Sequence, residues 1–156
     1  MSSETHPWHL FSKKLKNKIE KPSHVGFFLA KEVEEKNLRL VTGKEGSYSE
    51  GQFLCLYWLV DESNGVITEA KFQVYGSAAL IGAAEIISSL VIQKNYDQAS
   101  RISAELVDKE VRDKKAQSGF PEACDYLLNL VLTAVDNGVE QCLDIPFARE
   151  YVATPL

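Results

Sequence analysis

Three cysteines and three histidines carry the softest and most readily titrated donors in this 156-residue chain. Cys55, Cys124 and Cys142 are an odd number with no CxxC pair, so they suggest neither a zinc site nor a disulfide framework, and a reducing cytoplasm is the expected compartment. His6, His9 and His24 all fall near the start of the chain, so a catalytic dyad would need the N-terminus to fold over a site. Cys55 sits in an apolar run and reads as a small buried hydrophobe. Cys124 falls in the first turn of a helix. It reads either as a thiol with a lowered pKa or as packing, and packing is the expectation. Cys142 has no evident partner. There is no Gly-rich phosphate loop, HExxH or GxSxG. With no nucleophile–base set, the chain is not expected to be an enzyme.

One stretch has the shape of a site. Residues 71–90, KFQVYGSAALIGAAEIISSL, read as a strand running into Gly76, a turn, and a helix of small residues. Such junctions often hold a ligand or a reactive side chain at the helix N-terminus. Here the residue at that point is Ser77, whose expected role is to cap the helix that follows.

Around this junction the hydrophobic pattern changes period. Phe11, Leu15 and Ile19 form one stripe of an N-terminal helix that Pro22 stops. Its remaining faces carry Lys13, Lys14, Lys16, Lys18 and Lys21, read either as a solvated surface or as a docking surface for an acidic partner. Residues 38–42 form a short strand closed by a turn at residues 43–46. Residues 52–60 are strongly β-like, and residues 61–65 end in the turn dipeptide Asn64-Gly65. In residues 66–75 Val66, Thr68, Ala70, Phe72 and Val74 face one way, while Ile67, Glu69, Lys71, Gln73 and Tyr75 face the other. The strand at 52–60 is apolar on both faces. Which of its two sets points outward stays open; the outward one, with Trp58 as a candidate contact, must be covered by a helix, by the C-terminal tail or by another molecule.

The second half is helical. Residues 78–92 are apolar nearly all round apart from Glu85, as a central helix would be. A shorter helix includes Ala99, Ile102 and Leu106. After a polar loop at 112–119 and Pro121, a last helix carries Leu127, Leu130, Val131 and Ala134, capped by Asn137-Gly138. The expected fold is α+β with two layers, a three-stranded antiparallel sheet with helices packed on one face. Residues 1–9 are expected to be disordered, 10–142 to form one domain, and 143–156 to be a tail packed on it through Phe147 and Tyr151.

Composition sets the outer limits. A hydrophobic share of 45%, a charged share of 25% and a formal charge of −5 describe an ordinary globular domain. The acidic balance argues against nucleic acid as the main partner. No signal peptide or membrane span is evident, since the most apolar helix is too short and carries Glu85.

Three segments, in order, resemble the scaffold proteins of iron–sulfur cluster assembly, the IscU type and the N-terminal domain of NifU. Residues 11–26, FSKKLKNKIEKPSHVG, are similar to the family's opening helix ending in proline, two residues, then Val-Gly. Residues 65–90, GVITEAKFQVYGSAALIGAAEIISSL, are similar to its glycine turn, amphipathic strand, Tyr-Gly and small-residue helix. Residues 119–134 are similar to its proline-containing loop and final helix.

The resemblance implies three cysteines converging at one end of the fold on a nascent cluster or a metal ion, because thiolates are the soft ligands such clusters need. None of the three is kept here. The matching positions are Glu50, Ser77 and Leu127. A hydroxyl is a far weaker iron ligand than a thiolate, and leucine coordinates nothing. The expectation is therefore a degenerate member that binds no cluster and acts through protein partners. By resemblance these would be a cysteine desulfurase, an intact scaffold or a second copy of the chain. Two alternatives stay open. One is a protein holding iron or zinc through Glu50, Cys124 and Asp125; the other is an interaction domain outside cluster assembly.

Overall fold

The structure is a computed structural model and describes residues 8–146. The period-2 pattern builds its centre. Strands β1 (Arg39–Ser47), β2 (Gln52–Val60) and β3 (Ile67–Tyr75) form one antiparallel sheet in the order β1-β2-β3. The apolar face of β2, with Leu54, Leu56, Trp58 and Val60, looks into the core with Val41, Ala70 and Phe72. The expected alternation of β3 breaks at its start. A register shift between Leu59 and Val60 pairs Val60 with Ile67, which turns Ile67 into the core.

The remaining elements are α1 (Lys13–Glu20), α2 (Ala30–Lys36), α3 (Ala78–Val91), α4 (Tyr96–Ala99), α5 (Ala104–Lys109) and α6 (Asp125–Glu140). Short 3₁₀ turns lie at Trp8–Leu10 and Glu122–Cys124. Helices α3 and α6 cover the inner face of the sheet, and α1, α4 and α5 pack on those two. Leu80, Ile86 and Ile87 of α3 are buried there, each worth about 1.5–3 kcal/mol relative to exposure. Ser12 caps α1 by accepting the Leu15 amide at 2.9 Å, and the Asp113 carboxylate accepts the Lys13 and Lys14 amides at 2.7 and 3.1 Å.

Four expectations are corrected. The turn expected at 43–46 is strand, and β1 runs on to Ser47. Its Gly43 is there because α6 crosses so closely that a Cβ would stand 2.1 Å from the Ala134 carbonyl oxygen. Helix α6 does not stop at Asn137-Gly138 but continues to Glu140, with the Asn137 side chain donating to the Lys44 carbonyl at 2.6 Å. The region from Ala99 to Leu106 is two short helices rather than one. Trp8 and His9, expected in the disordered stretch, form the first 3₁₀ turn, and the Trp8 ring meets Phe11 edge-on.

Helix α2 was not expected at all. It lies on the face of the sheet opposite the main helices, where Lys36 pairs with Glu69. The segment before it is stitched to β3 by the His24 and Phe72 backbones, and Phe28 is buried beneath the Lys71 ammonium, 4.7 Å from its ring centre. This segment meets the outward side of β3, where Glu69 and Lys71 point.

Candidate degenerate ligand site

Two of the three positions that the resemblance marks are neighbours. The hairpin between β1 and β2 turns at Tyr48–Gly51, leaving Glu50 exposed at its tip, with its amide donating to the Ser47 hydroxyl at 3.2 Å. Gln52, at the start of β2, reaches across to the strand–helix junction. Its side-chain oxygen accepts the Ser77 amide at 3.0 Å. Gly76 stands directly under that carboxamide: its φ is +151°, and a Cβ there would come within 2.2 Å of the Gln52 oxygen and 3.0 Å of the Gly51 carbonyl.

Ser77 occupies the N-cap position of α3 but does not cap it with its side chain. Its carbonyl accepts the Leu80 amide, while its hydroxyl is enclosed with no hydrogen-bond partner. The capping expectation thus holds for the backbone and fails for the hydroxyl. The junction is instead held by Gln52.

The third position is apolar core. Leu127, in the second residue-pair of α6, is 0% exposed and packs with Val131 and Leu128 in the main cluster. Beside it, Cys124 is buried at the end of the 3₁₀ turn. Burial first, then the neighbouring Asp125 carboxylate, push its thiol up to about 11, opposite to the lowering that a helix N-terminus would produce. Cys142 is pushed up to about 11 as well, by burial and by Asp144, with Arg39 opposing. Cys55 is buried too. A thiol held in its neutral form is a poor metal ligand and a poor nucleophile.

Among the described residues no group of three His, Cys, Asp or Glu side chains is arranged to hold a metal ion, and this includes the set Glu50, Cys124 and Asp125. The donors present, a carboxylate at an exposed turn, an enclosed hydroxyl and a buried leucine, do not fit an iron–sulfur cluster.

The candidate partner residues divide. Lys13 and Lys14 are exposed, and Lys16 and Lys18 half-exposed, the Lys16 ammonium lying 5.9 Å from the Trp8 ring centre. Trp58 is a correction: it is 1% exposed, faces the core and lies against Gly138, so it offers no surface to a partner. The outward residues of β2 are Phe53, Cys55, Tyr57 and Leu59. Phe147 and Tyr151 lie outside the described residues.

One polar residue of structural weight was visible in the sequence without its role. Glu85, 2% exposed in the middle of α3, accepts the Ser23 and His24 amides at 2.9 and 3.0 Å and lies 2.7 Å from His24 Nδ1. A charge in an otherwise apolar helix was the signal; its partners, some sixty residues away, were not readable.

Comparison with known proteins agrees with this architecture. Over 101 residues the chain is 29% identical to the iron–sulfur cluster assembly scaffold protein IscU of Haemophilus influenzae, covering 65% of this chain and 75% of that one. It is 26% identical over 102 residues to the mitochondrial iron sulfur cluster assembly protein 1 of Debaryomyces hansenii, covering 65% of this chain and 54% of that protein. Among solved structures, a Brucella abortus NifU-like protein (N-terminal) superposes with a TM-score of 0.54 at 14% identity, covering 86% of this chain and 94% of that one. A Fervidobacterium islandicum protein assigned to the SUF system of cluster assembly superposes with a TM-score of 0.59, also at 14% identity, covering 86% and 99%. These two establish likeness of fold. The NifU-like N terminal domain profile matches residues 10–142, and the chain belongs to that family.

Proposed function

We propose that this protein serves iron–sulfur cluster assembly without holding a cluster, acting through protein partners rather than as an enzyme. The observation that carries the reading is the donor set at the three family positions. Thiolates would be needed there, and Glu50, Ser77 and Leu127 supply one exposed carboxylate, one enclosed hydroxyl and one fully buried alkyl group. The buried cysteines, two of them with raised pKa values, offer no ready substitute.

Partners in this reading are a cysteine desulfurase, an intact scaffold or a second copy of the chain, met in the cytoplasm. The lysines of α1 supply a basic surface on an acidic protein, which suits an acidic face on the partner. No helix among the described residues is long and apolar enough to cross a membrane.

The test is anaerobic reconstitution with ferrous iron and sulfide, followed by desalting. The expected result is no visible charge-transfer absorption and no retained acid-labile sulfide. A stable band with stoichiometric iron and sulfide overturns the reading. Charge reversal at Lys13, Lys14, Lys16 and Lys18 should weaken binding to whichever purified partner binds the wild type.

A further inference from the structure

The segment between α1 and α2 leaves three apolar side chains bare. Val25 is 58% exposed, Phe27 51% and Leu29 57%, while Phe28 among them is buried. A single exposed apolar residue is ordinary, but three within five consecutive positions form a patch. The patch is anchored from behind. Glu85 accepts the Ser23 and His24 amides. Strand β3 takes the next bonds: the His24 carbonyl accepts the Phe72 amide and the Phe72 carbonyl accepts the Gly26 amide, both at 2.8 Å.

These bonds make Val25 a short edge beside β3. Val25 bridges Phe72 in parallel, and in that geometry the bonds to β3 run through its neighbours His24 and Gly26. The Val25 amide and carbonyl therefore point away from the sheet, and neither has a partner among the described residues. An edge that combines unpaired backbone groups with bare apolar side chains is a template for another chain.

The charges on either side of the edge choose its occupant. Before it, α1 ends at Lys18 and Lys21; after it, α2 carries Glu34 and Glu35 on its surface. None of the four has an ion-pair partner among the described residues. Lys21 lies four residues before Val25 and α2 begins five after it, about 13 and 16 Å of extended chain. A two-fold axis at Val25 sets two such edges antiparallel, and each Val25 amide then donates to the other copy's Val25 carbonyl. The same axis brings the lysines that end α1 in one copy to the start of α2, with its glutamates, in the other. A parallel pairing would set lysine against lysine. We infer that the Val25 edge is where two copies of this chain meet, burying Val25, Phe27 and Leu29 of both. This deepens one branch of the proposed function, the second copy as partner, and does not depend on whether a cluster is bound.

Sedimentation equilibrium of the full chain, from about 10 µM to about 1 mM, tests it. The wild type should show a monomer–dimer equilibrium that added salt weakens. Val25→Pro removes the outward amide and no bond to β3, and Phe27→Lys places a charge in the patch at an exposed position. Each should raise the dissociation constant about tenfold or more, with circular dichroism unchanged. If Val25→Pro does not fold, Phe27→Lys decides alone. A wild type that stays monomeric through this range overturns the inference. So does a dimer that Phe27→Lys leaves intact, or one that salt does not weaken. No iron or sulfide enters the measurement, so a monomeric chain that also forms no cluster refutes this surface and leaves the reading above standing.

Discussion

Glu85 grips His24 twice: Oε1 accepts the His24 amide at 3.0 Å, and Oε2 lies 2.7 Å from Nδ1. The Ser23 amide adds a third contact at 2.9 Å. A carboxylate in the middle of an apolar helix is costly to bury unless it is fully hydrogen-bonded, and here it satisfies a stretch of backbone that has no regular structure of its own. The following residues then join β3 through the Phe72 backbone and carry Phe28 over the outer face. One acidic side chain therefore fixes how the chain passes from the inner layer of the fold to the outer.

Replacing Glu85 by Ala should cost about 2–3 kcal/mol, since two part-buried amides and an imidazole lose their acceptor together. Urea unfolding measures the loss. Hydrogen exchange should speed up at Gly26 and Phe72 before it does in β2, because the stitch between the 22–28 segment and β3 depends on this contact.

The raised thiol pKa values set a pH dependence. Burial pushes the Cys124 and Cys142 thiols up from their ordinary value of 9.0 to about 11 in the folded chain. Between these values the unfolded chain has released protons that the folded chain retains. The stability these thiols contribute is fully present below pH 9 and is lost as pH rises toward 11. Tyr57, pushed up to about 12 chiefly by burial, adds the same slope at higher pH. The Cys124→Ala/Cys142→Ala variant should be less stable at neutral pH, yet its stability should fall less steeply between pH 9 and 11 in urea titrations. At pH 8 the wild-type thiols should alkylate slowly when folded and rapidly in urea.

The edge of the sheet gives a third test. Among the described residues β1 has no strand on one side, and the Gln141 carboxamide closes part of that side as a neighbouring strand would: its oxygen accepts the Thr42 amide at 3.2 Å and its nitrogen donates to the Thr42 carbonyl. Asn137 does the same for the Lys44 carbonyl. Unpaired edge groups are templates for association. Asn137→Ala/Gln141→Ala should lose about 1 kcal/mol per bond removed. It should also scatter light sooner than wild type on heating.

What the sequence revealed follows the range of the interactions concerned. β2, β3 and α3 were legible because their patterns are local: an apolar β-rich run before Asn64-Gly65, alternation after it, then an apolar run after Gly76. β1 was cut short because Gly43 and Gly46 read as a turn, whereas Gly43 answers to α6, a contact made by residues far away in the chain. For the same reason Asn137-Gly138 read as a stop. In the fold Asn137 serves the edge of β1, and Gly138 makes room for Trp58. Helix α2 has no apolar stripe that could announce it. At the site, Glu50 on a turn and Leu127 in a buried stripe were readable. The Gln52–Ser77 contact was not, because it joins the start of β2 to the head of α3, 25 residues away. Of the two readings of Cys124, packing holds and the lowered pKa does not, because burial outweighs the helix position.

That Gln52–Ser77 contact supports the last prediction. Gly76 meets two obstacles to a side chain: the Gln52 carboxamide at 2.2 Å and the Gly51 carbonyl at 3.0 Å, with φ at +151° besides. The first obstacle is the end of a flexible side chain and can move aside; the backbone carbonyl and the positive φ cannot be relieved so easily. Gly76→Ala should cost about 2 kcal/mol or more, combining strain with the lost Ser77 contact. Gln52→Ala should cost about 1 kcal/mol, for one hydrogen bond. The double variant should lose less than the sum, because without the carboxamide the alanine has only the backbone to contend with. Urea midpoints of the four proteins measure the coupling. Strict additivity would show that Gln52 does not hold the junction.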